Sequence, residues 1–232
     1  MHTALTIAGS DSGGGAGIQA DLKTFAAHRV FGTCAITAVT AQNTLGVTMW
    51  RAVASDLVTA QIEAVAGDLG VDAVKVGMLA NTAIVEAVAA AIAELDLPHV
   101  VVDPVMIAKG GDRLLEAEAV AAVRAELLPL AQVVTPNVPE AEVLSGRTIR
   151  SVDDMRTAGE RILGLGPRVV LVKGGHLEGP ESIDVVCTAH EMFELRGPRI
   201  DTTQTHGTGC TLSSAISANL ALGLDDRSAL SR

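Results

Sequence analysis

The sequence predicts an α/β protein with a mostly parallel central sheet, helices on both faces and a small hairpin at one edge. Three observations carry this reading. Short aliphatic and β-branched runs alternate with helical segments of roughly 10 to 15 residues, the pattern of strands joined by right-handed crossovers. The chain has three Phe, one Trp and no Tyr, so its core must be aliphatic, which suits helices packed on a parallel sheet. Nearly every presumed strand also ends in a loop bearing Gly, Asp, Asn, Lys or Gln, and such sheets bind ligands at the carboxyl ends of their strands. The 232 residues, 48% apolar, suffice for a sizeable core. With no repeat, linker or low-complexity segment, residues 1–232 are read as a single domain.

Taken in order, TALTIAG is a strand ending at Gly9, and the loop SDSGGGAG leads to Ile18, Leu22 and Phe25 at helical spacing. TCAITAVTAQ (residues 33–42) reads as one strand, followed by the turn-like NTLG. Ser55 is placed to cap a helix carrying Leu57, Ile62, Val65 and Leu69, and DAVKVGM (residues 72–78) returns as a strand. Asn81 caps an Ala-rich helix ending near Leu95. VVVDPV is a strand, residues 116–128 a helix, VVTPN a strand and residues 139–144 a short helix. Ser151 and Asp154 stand at capping-box spacing, with Asp where Glu is preferred, before a helix to about Leu163. VVLVKGG (residues 169–175) is a buried strand, and runs around residues 185–187 and 192–195 form the edge hairpin. THGTGC leads into a helix over residues 211–222, and DDRSALSR signals no further helix.

A net charge of −10 opposes the phosphate backbone of nucleic acids, and no Lys/Arg run offsets it. No nucleic-acid partner is expected. Apolar stretches stop short of the roughly 18 residues a membrane span needs, and the start MHTALTIAGSDSGG lacks the basic region of a signal peptide, so the expectation is no membrane and a cytoplasmic location. Cys34, Cys187 and Cys210 are odd in number and widely spaced. They read as reduced thiols rather than a disulfide framework or zinc site.

The predicted topology gathers Gly9, Asp11, Gln42, Met78, Asp103, Asn137 and Lys173 on one edge, which makes that edge the candidate ligand site. GSDSGGGAG fits neither the dinucleotide fingerprint nor a phosphate loop ending in Gly-Lys-Ser/Thr. It is either a flexible turn or a loop whose backbone approaches a small ligand. Gly207 and Gly209 precede a helix, as a simple helix start or as a set of backbone N–H groups open to an anion. Cys210 in that first turn is either a thiol whose thiolate the helix dipole stabilises or a buried inert one. Asp103, Asn137 and Glu140 are oxygen donors at successive strand ends: Asn137 with Glu140 is a helix cap, and the set also suits Mg²⁺. Lys173 ends the most apolar strand, where a charged head needs an anionic partner.

GSDSGGGAGIQADLK, AVTAQN, KVGML, DPVM, TPNVPEAEVL, LVKGGH and THGTGCTLSSA together resemble, in order and over nearly the whole chain, the blocks of hydroxymethylpyrimidine/phosphomethylpyrimidine kinases within the ribokinase-like superfamily. The resemblance implies ATP- and Mg²⁺-dependent phosphorylation of hydroxymethylpyrimidine and then of its monophosphate, in thiamine biosynthesis, by a commonly homodimeric enzyme. By the same resemblance Gly9, Asp21, Gln42 and Met78 line the pyrimidine pocket. Asp103, Asn137 and Glu140 serve Mg-ATP, with Asp103 and Glu140 on the metal, and Lys173 meets the phosphates. Gly207, Thr208, Gly209 and Cys210 form an anion hole in which Cys210 stands where most sugar kinases of the superfamily carry an Asp base. Family members have a further helix after Leu224 that this sequence does not announce. Two alternatives share the fold, a pyridoxal/pyridoxine kinase and a non-catalytic metabolite-binding regulator. A Rossmann oxidoreductase lacks the glycine spacing.

Overall fold

The computed structural model describes residues 1–106 and 114–231. Arg232, which closes the DDRSALSR tail, lies outside them. Ten strands and eight α-helices appear among the described residues: β1 (Thr3–Ala8), α1 (Gly17–Ala27), β2 (Phe31–Ile36), β3 (Ala38–Gln42), β4 (Val47–Ala52), α2 (Ser55–Asp68), β5 (Ala73–Val76), α3 (Thr82–Glu94), β6 (Val100–Val102), α4 (Ala119–Ala122), β7 (Val133–Val134), α5 (Val138–Ser145), α6 (Val152–Leu163), β8 (Val169–Val172), β9 (Glu181–Thr188), β10 (Met192–Pro198), α7 (Thr208–Ala221) and α8 (Asp226–Ser231). The main sheet has the order β10-β9-β8-β7-β6-β5-β1-β2. It is parallel from β8 to β2, and β9 and β10 form the antiparallel edge hairpin.

The central strands are apolar on both faces, and their alternation sorts the core into two layers. Leu5, Ile7, Val74, Val76, Val100, Val102, Val170 and Val172 pack with Val58, Ile62, Ile84, Leu144 and Ile162 of the helices on one face. Val101, Val133, Val169 and Leu171 meet Ile216 and Leu220 of α7 and Leu230 of α8 on the other. Ala4 and Ala73 meet Phe25 of α1 and Ala218 of α7 beside them. On this second face the same alternation points Thr6 and Lys75 inward at α1 and α7. The Lys75 and Asp21 side chains are both 0% exposed and form an ion pair of 2.9 Å. Asp21 also accepts from Thr6 Oγ1 at 2.6 Å and from Ser214 Oγ at 2.7 Å.

The structure departs from the sequence-based elements in six places. TCAITAVTAQ is two strands, because Thr37 turns the chain: its N–H bonds Ala8 O, its carbonyl accepts from Val53, and its hydroxyl reaches Met78 O at 2.5 Å. β3 then pairs with β4, a strand with no clear period-2 pattern, in a separate hairpin across the NTLG turn. Ser55 is the first helical residue and not a cap; Ala54 precedes α2 without a side-chain bond. The helix expected over residues 116–128 starts at Ala119 and continues as a π turn (Val123–Leu127) and a 3₁₀ turn (Leu128–Leu130) that ends around Pro129. α7 begins at Thr208, three residues earlier than the expected start, so Gly209 and Cys210 lie inside its first turn. A short helix, α8, does follow Leu224, with Ser228 N–H bonded to Asp225 at 2.8 Å. Among the described residues no helix is long and apolar enough to cross a membrane.

Removing one partner of an enclosed ion pair strands the other charge, which costs about 3–5 kcal/mol. Lys75→Met should lower the unfolding free energy by about that amount in urea titrations at pH 7, and adding Asp21→Asn should recover most of it. Equal stabilities for the single and double variants would show that the two side chains act independently.

Candidate active site

The carboxyl ends of the parallel strands open into one cavity of about 1140 Å³. Each strand delivers one part of its wall. Gly9 and Ser10 follow β1, Gln42 ends β3, Met78 follows β5, Asp103 follows β6, Asn137 and Glu140 follow β7, and Lys173 follows β8. Gly207, Thr208, Gly209 and Cys210 close the wall from the start of α7. The structure thus brings together every site residue expected from the sequence except Asp11, which is buried within its own glycine loop, and Asp21. That carboxylate lies one layer behind the wall, and the side chain that reaches the cavity floor in its place is its partner Lys75. The assignment of Asp21 to the pocket lining is corrected accordingly.

The most highly charged part of the wall is built on β6 and β8. Lys173 Nζ donates to Asp103 Oδ1 at 2.8 Å, with 15% and 3% of the two side chains exposed. Burial pushes the Lys173 ammonium down, but Asp103 and Glu140 hold it, on balance, above its ordinary range. Asp103 accepts further from Thr135 Oγ1 at 3.3 Å. Glu140 is buried nearby, and both sequence readings of it coexist. Its carboxylate accepts from the Asn137 N–H at 2.8 Å while Asn137 Oδ1 accepts from the Glu140 N–H at 2.9 Å, a full capping box on α5. Both residues also face the cavity. Burial, reinforced by the Asp103 charge, pushes the Glu140 carboxyl up to about 7.

The first turn of α7 sits directly over this cluster. A side chain at Gly209 would place its Cβ 3.3 Å from Lys173 Nζ and 3.5 Å from Asp103 Oδ2, so only glycine leaves that space open. Gly207 caps the helix with φ +79° and no side-chain bond. Among the described residues nothing accepts from the N–H groups of Gly209 and Cys210. These donors, at the positive end of a 14-residue helix and beside a lysine, make an anion cradle.

Cys210 lies half-buried at this helix start and faces the cavity. Of the two readings of this thiol, a dipole-stabilised thiolate and a buried thiol, burial favours the second. Burial pushes the thiol above its ordinary range; Lys75 and a hydrogen bond from the Gly17 N–H pull it down, while Asp21 and Asp103 oppose them. The wall also includes residues not singled out from the sequence, among them Lys75, Asp184 and His206. Lys75 had a signal, a lone charge in the apolar run DAVKVGM, which is the argument already applied to Lys173. Asp184, whose carboxyl burial pushes up and which accepts from Gly174 N–H at 2.8 Å, sits in β9 of the edge hairpin, where the sequence offered no such signal.

A lysine and two carboxylates beside an open helix terminus, set over a parallel sheet, define the class: a phosphotransferase that acts on a small molecule. The family model for phosphomethylpyrimidine kinase matches residues 11–232. The hydroxymethylpyrimidine/phosphomethylpyrimidine kinase of Synechococcus elongatus is 52% identical over 223 residues, covering 96% of this chain and 84% of that one. The crystal structure of phosphomethylpyrimidine kinase from Clostridium difficile 630 is similar with a TM-score of 0.88 and 45% identity, covering 99% and 95% of the two chains. An ADP complex of Bacillus subtilis pyridoxal kinase has a TM-score of 0.91 and 42% identity, covering 99% and 87%. The chain belongs to the phosphomethylpyrimidine kinase family.

A thiol held above its ordinary range is mostly protonated at neutral pH, and the thiolate is the nucleophile. The rate of Cys210 alkylation should therefore still be climbing at pH 9, as followed by mass spectrometry of the modified peptide. A plateau reached below pH 8 would instead establish the dipole-stabilised thiolate.

Proposed function

We propose that this chain is a single kinase domain that transfers the γ-phosphoryl group of ATP to hydroxymethylpyrimidine and then to the resulting monophosphate, in thiamine biosynthesis. The observation that carries the proposal is the cradle itself: two unpartnered N–H groups of α7, Lys173 and the Asp103–Glu140 carboxylates converge on one cavity. Its volume of about 1140 Å³ holds a nucleotide and a small ring together. The names of the relatives support the acceptor, and the ADP complex of the similar pyridoxal kinase supports the nucleotide. We also take the enzyme to act as a cytoplasmic homodimer, as the family resemblance implies.

In this reading Gly9, Gln42 and Met78 seat the ring. Gly9 has no room for a side chain, since a Cβ there would lie 2.9 Å from Met78 Sδ. Gln42 is fixed by its backbone, which exchanges hydrogen bonds with Ser12 Oγ, so its amide can pair with polar ring atoms. Asp103 and Glu140 fit a magnesium ion that arrives with phosphate oxygens, because that ion takes one or two carboxylates and keeps its waters. Bound there, it supplies charge neutralisation for the phosphates. Among the described residues no cluster of three or more His, Cys, Asp or Glu could hold a metal unaided. Lys173 and the α7 N–H groups, with Thr208 beside them, hold the transferring phosphoryl as its charge spreads over the equatorial oxygens.

Cys210 takes the hydroxymethyl proton in its thiolate form. Because burial pushes the thiol up, this form grows with pH, and so should turnover: kcat should rise into the alkaline range. Cys210→Ala should lose about 10²-fold to 10⁴-fold in kcat with both substrates saturating. Cys210→Asp should recover part of it and shift the rise to lower pH. Coupled ADP-release assays with hydroxymethylpyrimidine, its monophosphate and pyridoxal measure both the acceptor and these variants. Activity on pyridoxal alone would favour the pyridoxal kinase reading, for which the structural similarity already speaks. A Cys210→Ala rate within a few-fold of the parent would remove the cysteine from proton transfer.

A further inference from the structure

We infer that Asp11 and His206 form a positioning pair that sets the first turn of α7 against the glycine loop after β1. The two residues are 195 apart in sequence, yet His206 Nε2 lies 2.8 Å from Asp11 Oδ2. Asp11 is 1% exposed and accepts from three backbone N–H groups of its own loop, those of Gly13 at 2.8 Å, Gly15 at 3.0 Å and Ala16 at 2.8 Å. One carboxylate therefore fixes the curl of the glycine loop and, through His206, the approach of α7. The imidazole immediately precedes Gly207, which opens the anion cradle.

The surrounding contacts leave no slack. A Cβ on Gly207 would fall 1.8 Å from the Gly15 carbonyl oxygen, and one on Gly15 would lie 2.7 Å from His206 Cδ2. Both loops line the same cavity, the first through Ala16 and Gly17 and the second through His206 to Cys210. Gly17 also donates to the Cys210 thiol. A shift of either loop would thus move the cradle and the cysteine relative to the ring pocket, and about 1 Å of misplacement can cost about 10²-fold in rate. Burial pushes the Asp11 carboxyl up, but His206 and the three N–H groups outweigh it and hold it below its ordinary range. It stays an acceptor at neutral pH. With its proton on Nε2, the imidazole donates to the Asp11 carboxylate.

The inference rests on the kinase reading above, and its test separates the two. Steady-state kinetics and thermal midpoints should be measured for the parent, His206→Ala, His206→Gln and Asp11→Asn. His206→Ala should lose about 10-fold to 10²-fold in kcat, with KM for the pyrimidine within about three-fold. His206→Gln, whose amide N–H can still donate to Asp11, should recover most of that loss. Asp11→Asn cannot accept on both atoms and should resemble His206→Ala. Parent-like kcat in His206→Ala overturns the inference, as does a rise in pyrimidine KM of about ten-fold without rescue by Gln, which would place His206 on the substrate. A rate loss that tracks the thermal midpoint in all three variants also overturns it. A parent inactive on the pyrimidine is the distinct failure of the kinase reading.

Discussion

The ion pair between Lys173 and Asp103 is the constraint on which the site depends. It joins the ends of β6 and β8, the two strands flanking β7, and it is almost sealed from water. A lone ammonium there would face a desolvation cost that only an anion can offset. Asp103 answers it at 2.8 Å, and Gly209 lies directly above, where a Cβ would press on Lys173 Nζ at 3.3 Å and touch Asp103. The helix terminus, the lysine and the carboxylates thus form one unit because the sheet holds the pair fixed. In the proposed kinase reading, a phosphate in the cradle would offer Lys173 a second acceptor, and Asp103 would be free to help hold a magnesium ion. Phosphoryl transfer relies on this kind of fixed charge rather than on covalent chemistry.

Much of this was legible in the sequence because parallel sheets bind at their carboxyl ends, and polar residues at the end of an apolar run have few other reasons to be there. Asp103, Asn137, Glu140 and Lys173 were found by position alone. What escaped were contacts across layers. Asp21 looked like a pocket residue, but alternation on β1 and β5 turns Thr6 and Lys75 toward it and seals it with Ser214. The break at Thr37 is made by hydrogen bonds to Ala8, Val53 and Met78, none near it in sequence. The sequence left Cys210 open between a dipole-stabilised thiolate and a buried thiol, because the burial and the two carboxylates that act on it are set by the fold. His206 appeared only as a letter in THGTGC until the fold brought it to Asp11.

A pyridoxal kinase shares this fold at a TM-score of 0.91 and 42% identity, so the fold alone does not choose the ring. In the proposed kinase reading, choice of acceptor rests with side chains at the mouth of β1, β3 and β5, where a Cβ on Gly9 would meet Met78 and the hairpin of β3 and β4 carries Gln42. That hairpin is tied to the glycine loop through Ser10 and Ser12 rather than to the main sheet. In that reading, ring selection and phosphoryl binding meet at the same glycine loop, which would link the identity of the acceptor to the placement of the group it receives.

The claim that the open space at the start of α7 is where the phosphoryl group is transferred has a direct test in Gly209→Ala. The added methyl would enter that space against the flexible end of Lys173 without requiring an unusual backbone, so the fold should tolerate it. With both substrates saturating, the account predicts a kcat lowered by about 10²-fold at an unchanged thermal midpoint. A variant that folds normally and turns over at the parent rate would contradict it.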